Sequence, residues 1–113
     1  MLTKEQILAP RKQVIETVHV KKWGGSVGVK VMTAGERDAW EAAAFVDGKV
    51  NRENFRARLL VHTVCDDQGA PLFTSDDIPA LAQQESPAVV RLVKKAMEIN
   101  ALSDGDVDDL TKN

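Results

Sequence analysis

A chain of 113 residues, 43% apolar and 28% charged, has room for one core and not two, and its composition excludes a fibrous, disordered or membrane-spanning protein. The formal net charge of −2 supplies no global field for nucleic acid or anionic lipid, and the basic pairs Arg11-Lys12, Lys21-Lys22 and Lys94-Lys95 are far apart and interleaved with acids. A single cysteine, Cys65, excludes an internal disulfide. The opening Met1-Leu2-Thr3-Lys4-Glu5-Gln6 has no apolar secretory region. No apolar run approaches the roughly 20 residues that cross a bilayer. A single soluble, cytoplasmic domain over residues 1–113 is therefore expected.

Thr3 and Gln6 have the spacing of a capping box, flanked by Leu2 and Ile7 as a hydrophobic staple. Pro10 disfavours helical geometry at Ala9, which limits this first helix to about two turns. Residues 13–32 read as a β-hairpin, because Val14, Val18 and Val20, then Val27, Val29 and Val31, alternate with polar positions. A tight Gly24-Gly25 turn would set Trp23 opposite Ser26, Val20 opposite Val29 and Val18 opposite Val31. The paired valines then share one face, and His19 leaves the other, across from Lys30.

A second box, Thr33 with Glu36, opens a helix expected to run through about Val46 and to stop at Asp47-Gly48. Its Ala39, Trp40, Ala43 and Ala44 fall on one side. Asn51 is placed as the cap of a third helix, stapled by Val50 and Phe55, with Ala57, Leu60, Val61, Val64 and Cys65 as its main apolar face. Asp66-Asp67-Gln68-Gly69 ends it. Thr74 and Asp77 form a further box complicated by Pro79, consistent with a later start or a 3-10 turn. Ser86-Pro87 then opens a helix to about Ala101 with Arg91, Lys94, Lys95 and Glu98 as a narrow polar stripe. Ser103 with Asp104 and Asp106 predicts a last short helix. The reading is an α+β fold, mostly helical: an N-terminal β-hairpin followed by four to five helices.

The chain carries few candidates for chemistry. His62 and Cys65, three apart on one predicted helix, have the spacing of a nucleophile–base or metal pair. Two ligands close no zinc site, and Cys65 falls on the apolar face, where an unreactive thiol is the usual occupant. Asp104-Gly105-Asp106-Val107-Asp108 mimics the start of a calcium loop, but Asp109 stands where glycine is needed and the bidentate glutamate is missing. The glycines of Trp23-Gly24-Gly25-Ser26-Val27-Gly28 lie inside a hairpin and match no phosphate-binding pattern. No catalytic, cofactor-binding or metal residue is assigned.

Apolar surface, in contrast, is in surplus. Phe55 and Leu59 point away from the main face of the third helix, and Phe45 falls near the polar side of the second. Either several helices are sandwiched within the domain or these faces meet a partner. On the second alternative, Phe45, Phe55 and Leu59 are the candidate self-association or partner surface.

The order of motifs resembles a known family. A valine-rich strand precedes Trp23-Gly24-Gly25-Ser26-Val27, and Val29-Lys30-Val31-Met32-Thr33-Ala34-Gly35-Glu36-Arg37-Asp38-Ala39 follows. Next come Asn54-Phe55-Arg56-Ala57-Arg58-Leu59-Leu60, Asp66-Asp67-Gln68-Gly69, Leu72-Phe73 and Asn100-Ala101-Leu102-Ser103. Together these resemble the siphophage tail assembly chaperones. The resemblance implies a non-enzymatic protein of the infected host's cytoplasm, absent from the finished virion. Such a protein coats the tape measure protein, keeps it soluble, helps recruit tail tube subunits and assembles into rings or spirals. Many members also exist in a form extended by translational frameshifting. The alternatives are a small structural virion protein (a head–tail connector or minor tail component), a helical DNA-binding regulator, against which the charge pattern stands, and an enzyme using Cys65.

Overall fold

The computed structural model describes residues 1–102. The short helix expected at Ser103–Asp106, with its aspartate run, lies outside the described residues. Helix starts form where cap spacing requires them. Thr3 Oγ1 accepts from the Gln6 N–H at 3.2 Å while Gln6 Oε1 accepts from the Thr3 N–H at 2.9 Å, opening α1 (Lys4–Leu8). Thr33 and Glu36 repeat the exchange at 3.1 and 2.9 Å and open α2 (Ala34–Ala44).

The hairpin pairs β1 (Ile15–Val20) with β2 (Gly25–Lys30), in a register other than that of a Gly24-Gly25 turn. Val20 faces Gly25, His19 faces Ser26, Val18 faces Val27 and Glu16 faces Val29. Lys21–Trp23 wind into a 3-10 turn, and Gly24 takes the left-handed cap at φ +72°. Val20 therefore meets residue 25 rather than 29, a slide of four. An even slide leaves every side chain on its face. Most of the valine face survives: Val18, Val20 and Val29 are buried and Val27 half-buried, whereas Val14, just before β1, is 59% exposed, and β2 packs on α5 (Ser86–Ile99) and α3 (Phe55–Thr63).

Asp47-Gly48 is a strand reversal rather than a helix stop. Both residues have positive φ, 53° and 74°, as the tight turn of a two-residue hairpin requires. It joins β3 (Phe45–Val46) to β4 (Lys49–Val50), so α2 ends at Ala44. α3 starts after Asn54, not Asn51, whose backbone N–H instead donates to the Ala44 carbonyl at 2.7 Å. It stops at Thr63, whose hydroxyl donates to the Leu59 carbonyl at 2.9 Å. Val64 and Cys65 then become β5, Val64 opposite Val29 and Cys65 opposite Gly28. A 3-10 turn (Ser75–Asp77) leads into α4 (Ile78–Ala82), and Pro79 and Pro87 sit in the first turns of α4 and α5, where a missing N–H costs nothing.

α3 lies centrally, packed by α2, α4 and α5 and touching β2. The sheet order β1-β2-β5 leaves β1 outermost. Along it, Arg91 Nε donates to the His19 carbonyl at 3.1 Å, and Lys95 pairs with Glu16 at 3.2 Å.

The junction between hairpin and helices is polar and mostly buried. Lys30, 4% exposed, reaches Glu36 at 2.6 Å. Gln13 Nε2 donates to Glu36 at 2.8 Å and to the Val31 carbonyl at 2.7 Å. From the far end of α5, Asn100 accepts the Met32 N–H at 2.8 Å and donates to the Lys30 carbonyl at 3.2 Å. Burial alone would raise the Glu36 carboxyl, but hydrogen bonds from Lys30, the Thr33 backbone and Gln13 outweigh it, and it falls from its ordinary 4.5 to about 2.

Because the folded value is depressed, this contribution to stability is complete above pH 4.5 and is lost as pH falls toward about 2. Urea titrations across that range should show the wild type losing stability, with Glu36→Gln lacking that part of the slope and starting roughly 1–3 kcal/mol lower at pH 7. Gly28→Ala is a separate test. An added methyl would lie 2.8 Å from Ile15 Cγ2, 3.0 Å from Cys65 Sγ and 3.1 Å from the Asp66 carbonyl. Thermal melting should report a loss of about 1–3 kcal/mol.

Candidate protein-binding surface

The three residues expected to face a partner lie in different settings. Leu59 has no exposed surface and belongs to the core, which corrects its assignment to a surface. The reason is the central position of α3: a helix packed on several sides presents apolar groups in several directions, so Leu59 and Leu60 are both fully buried. Phe45 and Phe55 are half-buried and pack edge-on to the buried ring of Trp40. The centroids are 5.9 and 6.1 Å apart and the interplanar angles 79° and 62°. Both therefore close the core over Trp40 while keeping part of a ring at the surface, and beside Phe45 the Val46 side chain is 52% exposed.

His62 and Cys65 are not companions on one helix, since α3 ends between them. Burial lowers the His62 imidazole and raises the Cys65 thiol. Each shift favours the neutral form, the reverse of a thiolate–imidazolium couple. Among the described residues no three His, Cys, Asp or Glu side chains gather in a metal-binding group, and no helix is long and apolar enough to cross a membrane.

Two apolar features lay outside the sequence reading. α1 has no buried residue, and Leu2, Ile7 and Leu8 are 71%, 53% and 68% exposed. Leu2 and Ile7 fit a staple by spacing, and a five-residue helix cut short by Pro10 buries neither of them in the core. Arg11 closes this helix by donating to the Gln6 and Ile7 carbonyls at 2.7 and 2.9 Å. The second feature is a groove of about 300 Å³ lined by Trp23, Phe73, Asp77, Ala80, Leu81 and Gln84. Trp23, read as a turn residue, gave no sign of it; the unusual feature in sequence is a large aromatic at a hairpin tip, where small polar residues are the rule.

Truncation separates core from surface. Leu59→Ala should cost about 2–5 kcal/mol in chemical denaturation while leaving the oligomer mass of the folded fraction unchanged in light scattering.

The comparisons with known proteins agree with this architecture. The bacteriophage HK97 tail assembly chaperone shares the fold, with a TM-score of 0.62 at 21% identity over 89% of this chain and 95% of that one. Among curated proteins no sequence matches. The family model described as phage tail assembly chaperone matches residues 3–113, nearly the full length, and the chain accordingly belongs to the phage tail assembly chaperone family.

Proposed function

We propose that this protein acts in the host cytoplasm as a non-enzymatic chaperone of phage tail assembly. On this reading it binds the tape measure protein, keeps that protein soluble, helps recruit tail tube subunits and leaves no copy in the finished virion. It works as a homo-oligomer. The observation that carries the reading is the family match over residues 3–113. The surface supports it: apolar side chains stand exposed at α1, at Trp23, at Val46 and at Val90. A long helical client offers apolar stripes that such side chains fit. The half-exposed rings of Phe45 and Phe55, with Val46 beside them, form the proposed client-facing patch. Leu59 contributes only by holding α3 in place.

The test is co-expression with the tape measure protein of the same phage or prophage. Soluble tape measure protein should increase several-fold over expression alone and should co-purify with this chain. Val46→Asp, an exposed substitution, should weaken that recovery without lowering the melting temperature. An insoluble client, or this chain retained in purified particles at stoichiometric levels, would overturn the reading; the latter result favours a structural virion protein.

A further inference from the structure

The α1 arm and the Trp23 groove complement one another. The arm is apolar along Leu2, Ile7 and Leu8, and residues 1–12 carry Lys4, Arg11 and Lys12 against the single acid Glu5. The groove is apolar at Trp23, Phe73, Ala80 and Leu81. The segment that builds most of it, residues 73–86, carries Asp76, Asp77 and Glu85 and no basic residue. Glu85 is answered by Lys22 beside Trp23 at 3.1 Å, and Asp76 and Asp77 leave the α4 side of the trough with a negative edge, so a cationic, greasy arm matches it there in both chemistry and sign.

The two features cannot meet within one copy. Gln13 is pinned to the open end of the hairpin by its bonds to Val31 and Glu36, and Val14 by the Val31 N–H at 2.9 Å. Trp23 lies at the closed end, roughly 23 Å away along a strand rising about 3.3 Å per residue. From Leu8, the last residue of α1, to Gln13 the chain takes five Cα steps, which fully extended span at most about 18 Å. Clasping of Arg11 onto the α1 carbonyls shortens it further. Ile7 and Leu8 therefore fall short of their own groove.

We propose that α1 of one copy docks in the Trp23–Phe73–Ala80–Leu81 groove of a second copy. Donor and acceptor stand at opposite ends of the hairpin, so the contact is head-to-tail, and each added copy exposes a fresh arm and a fresh groove. The capping box and the Arg11 clasp are then explained. They hold in helical form a segment too short to be stable alone, so that less order has to be imposed when it docks. This rests on the self-association part of the function proposed above, and it names the surfaces that would carry it.

Two variants of the full chain test the pairing. Ile7→Asp/Leu8→Asp spoils the arm and leaves the groove; Ala80→Arg, at an exposed position, obstructs the groove and leaves the arm. Light scattering should show assemblies for the wild type and monomers for each variant, with melting temperatures unchanged. Mixed in equal amounts, the two variants should form a 1:1 pair and nothing larger, because only one intact arm–groove contact can be made. A wild type that stays monomeric overturns self-association itself. A wild type that assembles, with both variants assembling equally well or with no pair on mixing, overturns the arm–groove contact and leaves self-association standing.

Discussion

The structure depends on one ion pair, buried at its lysine end and half-buried at its carboxylate. Lys30 closes β2 and Glu36 sits in the first turn of α2, so their 2.6 Å contact ties sheet to helix across the turn at Val31–Thr33. An ammonium at 4% exposure is tolerable only with its charge answered and its donors occupied. Glu36 answers the charge, and the Gly69 carbonyl accepts a weaker bond at 3.4 Å. The carboxylate also serves Gln13 and the Thr33 N–H, while Asn100 binds the backbone on both sides of Val31. Four separated stretches of chain converge there, and the relative placement of hairpin, α2 and α5 follows from that convergence.

Local chemistry was legible in sequence because it acts over three or four residues. The boxes at Thr3 and Thr33 and the 3-10 start at Thr74–Asp77 stand where spacing put them, and α5 opens at Ser86-Pro87 as expected but with Glu85, not Ser86, at the cap. The valine face of the hairpin was readable too, since period-two alternation is indifferent to even slides. The register itself was not: Gly24-Gly25 permits a tight turn, but Lys21–Trp23 wind first, and only one glycine takes the left-handed position. Asp47-Gly48 was misread because a dipeptide that ends helices also reverses strands; Phe45-Val46 and Lys49-Val50 on either side were the discriminating signal.

The apolar surplus had two readings, and tertiary placement divides them by residue. Periodicity reports how many sides of a helix are greasy but not what covers them. For α3 the cover is the rest of the domain, hence the burial of Leu59. β5 was hidden for a related reason: Val64 and Cys65 continue the helical apolar pattern, and it is pairing with the edge of β2 that makes them strand. The Phe45 and Phe55 rings fall between the two readings, sealing Trp40 from one side while meeting solvent on the other.

An outermost strand with open backbone groups is a template for uncontrolled zippering of copies into stacked fibrils. Here the Arg91 guanidinium occupies the backbone oxygen of His19, and Lys95 and Glu16 lay a bonded pair of charges along the same border. A neighbouring strand would have to strip both before it could hydrogen-bond there. Exposed apolar side chains elsewhere on the surface can then meet a partner without that border fusing to a neighbouring backbone.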